Sequence, residues 1–410
     1  MRDSSVRLHW PGKALGARPA AEVELELTRA GHPSQLVISG DNLAGMRALG
    51  RRAAGAFALV YMDPPFFTGR QHERVARSRN KKTGEVVRRL TPAFDDRWEG
   101  LSEYLNELGE RISAARELLS PEGCLVLHVD PKTSHYAKVL CDEVFGPGTF
   151  ASEIVWRYRR WPAKTANFQR VHDVLLRYVK DPEAKPKFRQ LYEPLAASTL
   201  ATWGDKKQRA VVGKNGRRVR SSSTEEATPG TPLGDVWEIG IVAPIARERT
   251  GYPTQKPEAL LERLVQAVTD PEDLVLDPYA GSGTTLAVCA RLGRRSVGID
   301  ASPEALRIIR RRLREQGVRP LEEKVRAAEP RVQKARAAER DDDARLAVIV
   351  GPDTGFTDAE LTVARDAGLD ICTLGAATLR TETAALVAMT LALQASGHLD
   401  LSSEQHDASE

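Results

Sequence analysis

Phe57-Ala58-Leu59-Val60-Tyr61-Met62, followed at once by Asp63-Pro64-Pro65-Phe66, is the stretch on which the reading of this chain turns. An apolar run without a polar break predicts a strand buried on both faces, as in a parallel sheet covered by helices. Asp63 ends that strand. The two prolines fix the backbone that follows and leave the Pro64 carbonyl without a helical partner. A carboxylate, a free carbonyl and the Phe66 ring in one turn can grip an exocyclic amine, with acceptors for both N–H bonds and a face for stacking. The competing reading is a rigid Pro-Pro turn with a capping aspartate.

A second turn lies far downstream. Leu274-Val275-Leu276 predicts a strand leading into Asp277-Pro278-Tyr279-Ala280-Gly281-Ser282-Gly283-Thr284-Thr285, with a helix from there to Leu292. An acid at the end of a strand, then glycines opening a helix, lets backbone N–H groups approach a ligand. Ser296-Val297-Gly298-Ile299-Asp300 predicts the next strand. Its closing acid is placed to accept from two vicinal ribose hydroxyls, so the pair fits a nucleoside-containing cofactor. No lysine follows Gly283 in the manner of a nucleotide P-loop.

Between and around these turns, strands alternate with helices. Gln35–Ser39, Cys124–Val129, Ile154–Tyr158 and Val174–Val179 read as strands; Asn42–Leu49, Ser102–Leu119, His135–Val144 and Glu258–Val268 read as helices. Ser302-Pro303-Glu304 opens another helix with a capping serine and a first-turn proline. The fold class is therefore α/β, a mostly parallel, Rossmann-like sheet with helices on both faces. Residues 181–240 show weak periodicity and read as an insertion.

Composition and charge narrow the function. At 410 residues, 41% hydrophobic and 28% charged, the chain exceeds one ordinary core and has no apolar run long enough for a bilayer span, so no membrane partner is expected. Cys124, Cys141, Cys289 and Cys372 lack C-x-x-C spacing, which argues against disulfides and structural zinc and for a reducing cytoplasm. The net charge of +4 is mild, but it is unevenly spread. Arg70, Arg74, Arg77, Arg79, Lys81, Lys82, Arg88 and Arg89 crowd a stretch opposed only by Glu73 and Glu85. A second basic region includes Arg159, Arg160, Lys206 and Lys207, with Trp156, Tyr158, Trp161, Phe168, Tyr192 and Trp203 interleaved. Basic loops with aromatics suit phosphate contacts and base stacking, although a solvated surface would look similar.

With these elements in order, the chain resembles the S-adenosylmethionine-dependent amino DNA methyltransferases that modify adenine N6 or cytosine N4. Residues 34–315 carry the resemblance: Gly40-Asp41-Asn42-Leu43, the Asp63 turn with Thr68-Gly69, Leu127-His128-Val129-Asp130 through Tyr136, Arg249–Pro257 including Lys256, and the Asp277–Thr285 turn. The D-P-P-F element comes before the cofactor turn, which is similar to the beta-type arrangement, a circular permutation of the common fold. The resemblance implies S-adenosylmethionine as cofactor with no metal required, and double-stranded DNA as partner. It places Asp63, Pro64, Pro65 and Phe66 at the reacting amine of a flipped base. Asp41, Tyr279, Gly281, Gly283, Thr284, Lys256, Asp277 and Asp300 are expected around the cofactor, with Asp277 at its methionine end, Asp300 at its ribose and Asp41 near its adenine. D-P-P-[YF] goes mostly with adenine in this family, so adenine N6 is the expected target. Cytosine N4, an RNA substrate and a catalytically silent DNA-binding regulator are the alternatives. A nucleoid-associated cytoplasmic enzyme, alone or with a separate restriction endonuclease, is implied.

The expected divisions are an N-terminal extension (1–33), a catalytic half (34–180), a target-recognition insertion (181–248), a cofactor-binding half (249–318), a charged helical linker (319–345), a small α/β segment (346–400) and a tail (401–410). Val348–Glu360, with Gly351-Pro352 and a capping box from Thr357 to Glu360, resembles the last part of the knotted RNA methyltransferases that modify a ribosomal uridine. In that family the region helps build a dimer, so a self-association or docking module, such as would build a homodimer, is expected; a fused remnant with only a packing role is the alternative.

Overall fold

The computed structural model describes residues 7–13, 23–79, 86–160, 164 and 166–327. The expectations for 328–345, 346–400 and 401–410, and for Lys81 and Lys82, lie outside them. Regular structure begins with β1 (Val23–Arg29), β2 (His32–Ser39) and α1 (Asn42–Ala53), the last capped by Asp41, which accepts the Ala44 amide at 2.9 Å. β3 (Phe57–Met62) is buried along its whole length, as its apolar run predicts. An antiparallel hairpin of β4 (Arg70–Arg79) and β5 (Val86–Asp96) follows where the sequence shows a basic loop. Next come α2 (Leu101–Leu118), β6 (Leu119–Val129), α3 (Ser134–Phe145), β7 (Phe150–Arg157) and β8 (His172–Val179).

The insertion carries β9 (Tyr192–Glu193), α4 (Ala197–Trp203), a hairpin of β10 (Lys206–Val212) and β11 (Arg218–Ala227), then β12 (Thr231–Pro232) and β13 (Val236–Glu238). The chain returns through α5 (Glu258–Val268), β14 (Leu274–Asp277), α6 (Thr284–Arg291), β15 (Arg295–Asp300), α7 (Pro303–Glu315) and β16 (Pro320–Ala327).

Among the described residues, ten strands form one sheet in the order β1-β16-β2-β15-β14-β3-β6-β8-β7-β13. From β16 to β6 the neighbours run parallel, and β8 is antiparallel to both β6 and β7. Residues of β3 alternate between two cores. Phe57, Val60 and Met62 pack with α1, α2 and α3, whereas Leu59 and Tyr61 pack with α5 and α6. One register matters most for the site: β3 and β14 are adjacent, with Leu59 opposite Val275 and Val60 opposite Leu276. The turns after them, Asp63 and Asp277, therefore emerge side by side at the carboxyl edge of the sheet, where open α/β sheets bind ligands.

Three expectations need correction. Residues 320–327 are not part of a helical linker but a strand parallel to β2. Their charge is what misleads: Glu322 and Glu323 are buried, neutralised by Arg310 at 2.9 Å and Arg52 at 3.0 Å from other elements. The N-terminal stretch is not merely an extension either, because β1 is the sheet's edge strand among the described residues, and β16 lies between it and β2. At Gly31 a Cβ would stand 2.1 Å from the Pro320 carbonyl, so only glycine lets β16 begin there. Finally, β13 belongs to the main sheet, parallel to β7, although it lies within the insertion.

Candidate active site

A cavity of about 290 Å³ opens at the carboxyl ends of β2, β3, β14 and β15. It is lined by Asp41, Asp63, Pro64, Pro65, Phe66, Lys256, Asp277, Tyr279, Gly281, Thr284 and Asp300, so residues far apart in sequence share one cleft. Gly283 supports the wall from behind: its φ is +71°, and a Cβ would meet Ile309 Cγ1 at 2.7 Å.

Asp277 organises the downstream turn. Its carboxylate accepts the Tyr279 amide at 3.0 Å and the Thr285 hydroxyl at 2.5 Å. Asp300 accepts the Gly281 amide and the Ser302 amide, each at 2.8 Å, one on each oxygen. Thr284 spends its hydroxyl on the Lys256 carbonyl at 3.1 Å. Burial pushes Asp277 up to about 7 and Asp300 up to about 6; the bonds just described hold both lower than burial alone would. An acid whose pKa is raised on folding keeps a proton that the unfolded chain gives up. The stability that these two acids contribute is therefore expected to fall as pH rises from about 4 to 7 and to level off above that. Asp277→Asn, which keeps an acceptor for Tyr279, should remove about 3 kcal/mol of that slope in urea unfolding between pH 5 and 8.

The upstream turn is built differently. Lys256, 193 residues from Asp63 in sequence, places its ammonium 2.6 Å from one Asp63 oxygen and also touches the other. The same ammonium sits 4.8 Å above the centre of the Phe66 ring. Sequence reading groups Lys256 with the cofactor; here it rests on the D-P-P-F turn. Behind that turn lies His128, fully buried. One ring nitrogen is 2.8 Å from the Tyr61 hydroxyl and 3.8 Å from Asp63; the other is 3.2 Å from Asp173, which also accepts the Tyr158 hydroxyl at 2.9 Å. Burial works to raise Asp173, but its bonds and proximity to His128 and Lys256 hold it below the ordinary carboxylate range. The His128 ring lies 5.6 Å from that of Phe66, and so supports it from within.

Asp96 fixes the other end of this turn. Buried at 1% exposure, it accepts the Phe67 amide at 2.8 Å, the Thr68 amide at 2.9 Å and the Trp98 indole N–H at 3.2 Å. Phe67 is held at φ +55°, a strained value for a bulky residue, immediately after Phe66. Asp96→Ala would leave these donors unpaired and is expected to lower stability by about 3 kcal/mol, read by urea unfolding.

Among the described residues, Arg70, Arg159, Arg160, Lys206 and Lys207 do not line this cavity. Arg70 and Arg74 lie on β4, and Lys206 and Lys207 on β10. Arg159 and Arg160 are exposed beyond the end of β7. Two aromatics read as stacking platforms are instead core residues: Trp156 is 3% exposed and bonds the Ile239 carbonyl, and Tyr158 is 5% exposed. Phe168 and Tyr192 are exposed. Asp96, Tyr61 and Asp173 carry no local sequence signal, since each acts through a partner brought close only by the fold.

A family model described as DNA methylase matches residues 57–311, and one described as RNA methyltransferase domain matches residues 313–393. The chain is 28% identical over 291 residues to the DNA adenine methyltransferase YhdJ of Escherichia coli K12, spanning 70% of this chain and 85% of that protein. It is 27% identical over 268 residues to the Type II methyltransferase M.HpaI of Haemophilus parainfluenzae, spanning 65% of this chain and 71% of the relative. Among solved structures, the M1.HpyAVI–SAM complex aligns over 68% of this chain and 98% of its own length, at 19% identity and a TM-score of 0.41.

Proposed function

The chain belongs to the DNA methylase family, and on that premise we propose that it transfers the methyl group of S-adenosylmethionine to the N6 amine of an adenine flipped out of duplex DNA. The observation that carries this reading is the shared cleft: Asp63 and Phe66 face the same cavity as the Asp277 turn. The donor set suits the cofactor. Lys256 offers an ammonium for a carboxylate, and each Asp300 oxygen keeps a second lone pair for a ribose hydroxyl beyond its backbone bond. When bound, S-adenosylmethionine supplies a methyl carbon already activated by its sulfonium charge.

The protein's own share is positioning and electrostatics. Asp63 and the Pro64 carbonyl accept the two N–H bonds of the incoming amine, which turns its nitrogen toward the reacting carbon. Phe66 stacks on the base and offsets part of the few kcal/mol that unpairing costs. The D-P-P-F sequence, together with a relative named as an adenine methyltransferase, favours adenine over cytosine. Long-read methylation sequencing of a methylation-free host expressing the chain tests this. One motif carrying N6-methyladenine is expected. N4-methylcytosine would change the target, and an unmodified genome would overturn the activity. The RNA methyltransferase match over 313–393 favours a second reading, an RNA substrate for the carboxyl-terminal segment. Methyl label found only in ribosomal RNA would select it.

DNA is engaged by the basic residues of β4 and β10 and of the segment beyond β7. Replacing exposed Arg159 together with Lys206 by alanine should weaken binding whatever the sequence. It should also reduce the slope of log affinity against log salt by about 2, measured by titration at several salt concentrations. A separate restriction endonuclease cutting the same motif and a homodimer built through the carboxyl-terminal segment complete the proposed partners.

A further inference from the structure

Lys256 stands where the base must go. Its ammonium holds both Asp63 oxygens and covers the Phe66 ring, the groups that would take the amine and the purine face. Lys256 is 9% exposed, so leaving Asp63 for water at the same place is not open to it. Moving a buried ammonium off its carboxylate requires another anion within reach. Asp41, Asp96, Asp277 and Asp300 also line the cavity, but each is held in place by partners of its own: Ala44 and Arg111, Phe67 and Thr68, Tyr279 and Thr285, and Gly281 and Ser302 in turn. An anion not fixed in this way is one that a ligand brings.

We propose that Lys256 is an exchangeable counter-ion, paired with Asp63 until the carboxylate of the amino-acid end of the cofactor draws it away. This rests on the methyltransferase reading above and deepens it: cofactor binding frees Asp63 and Phe66, so the base is admitted only when a methyl donor or its product fills the cavity. The Lys256 main chain need not move. Its carbonyl stays anchored by Thr284, and a four-carbon side chain swings between two anions of one cavity. Lys256 is thus a positioning residue that orders the two ligands.

The test uses the full chain and two nucleosides, S-adenosylhomocysteine and its analogue lacking the carboxylate, compared by calorimetric titration. If Asp63 and the ligand carboxylate compete for Lys256, Asp63→Asn tightens binding of S-adenosylhomocysteine about tenfold and leaves the decarboxylated analogue unchanged. Lys256→Met brings the two affinities within about twofold of each other, a ratio taken within one protein and so insensitive to any loss of stability. On DNA with 2-aminopurine at the target position, S-adenosylhomocysteine raises the fluorescence of the native protein severalfold and the analogue does not. Equal effects of Asp63→Asn on both nucleosides, or equal fluorescence with both, overturn the exchange while leaving the methyltransferase reading intact. Failure to bind either nucleoside overturns that reading and the exchange with it.

Discussion

Asp63→Ala is expected to lower the rate of methyl transfer about a thousandfold while leaving cofactor affinity no weaker than in the native protein. The rate loss follows from removing an acceptor fixed where charge develops on the amine, a change that costs 10²- to 10³-fold or about that in comparable sites. Preserved affinity follows from geometry: Asp277 and Asp300 are held by their own turn and not by Asp63. The substitution also leaves Lys256 without its 2.6 Å partner, so some loss of stability accompanies it. Asp63→Asn separates the two effects, because it keeps the shape of the turn and one acceptor. Single-turnover rates and calorimetry on both variants provide the measurement. Retention of the native rate by Asp63→Ala would remove the proposed chemistry.

Phe66→Ala should lower kcat/KM by about a hundredfold, mostly by weakening capture of the flipped base. Base–aromatic stacking contributes about 1–3 kcal/mol per base, and Phe66 is the ring beside the acceptor pair. Its backing is firm, with His128 at 5.6 Å behind it and Asp96 bonded to the next two amides. Phe66→Tyr should therefore restore most of the activity, since it keeps a flat ring in a place already built for one. 2-Aminopurine fluorescence reports the stacked base directly, and an Ala variant as active as the Tyr variant would count against a stacking role.

The parts legible in sequence are those whose signal is local. β3, α5 and β14 show themselves through unbroken apolar runs or helical spacing, and the two turns through residue types that few other geometries require. What was not legible depends on distant partners. β16 reads as solvated because its glutamates find arginines only after folding. Trp156 and Tyr158 look like nucleic-acid platforms because adjacent arginines suggest exposure, yet the Asp173–His128 pair and Ile239 draw them inward. The position of Lys256 is the sharpest case. Its sequence neighbours place it before α5, near the cofactor turn, and only the adjacency of β3 and β14 reveals Asp63 beside it.

The interleaving of β16 between two strands consecutive in the chain has a consequence for biogenesis. On the ribosome, β1 and β2 emerge before the other strands of this sheet, yet among the described residues the strand that β1 joins, β16, is complete only once residue 327 has cleared the exit tunnel. Synthesis must therefore be almost finished with this unit before its edge can close, and a nascent chain stalled earlier would present an open backbone ladder to its surroundings.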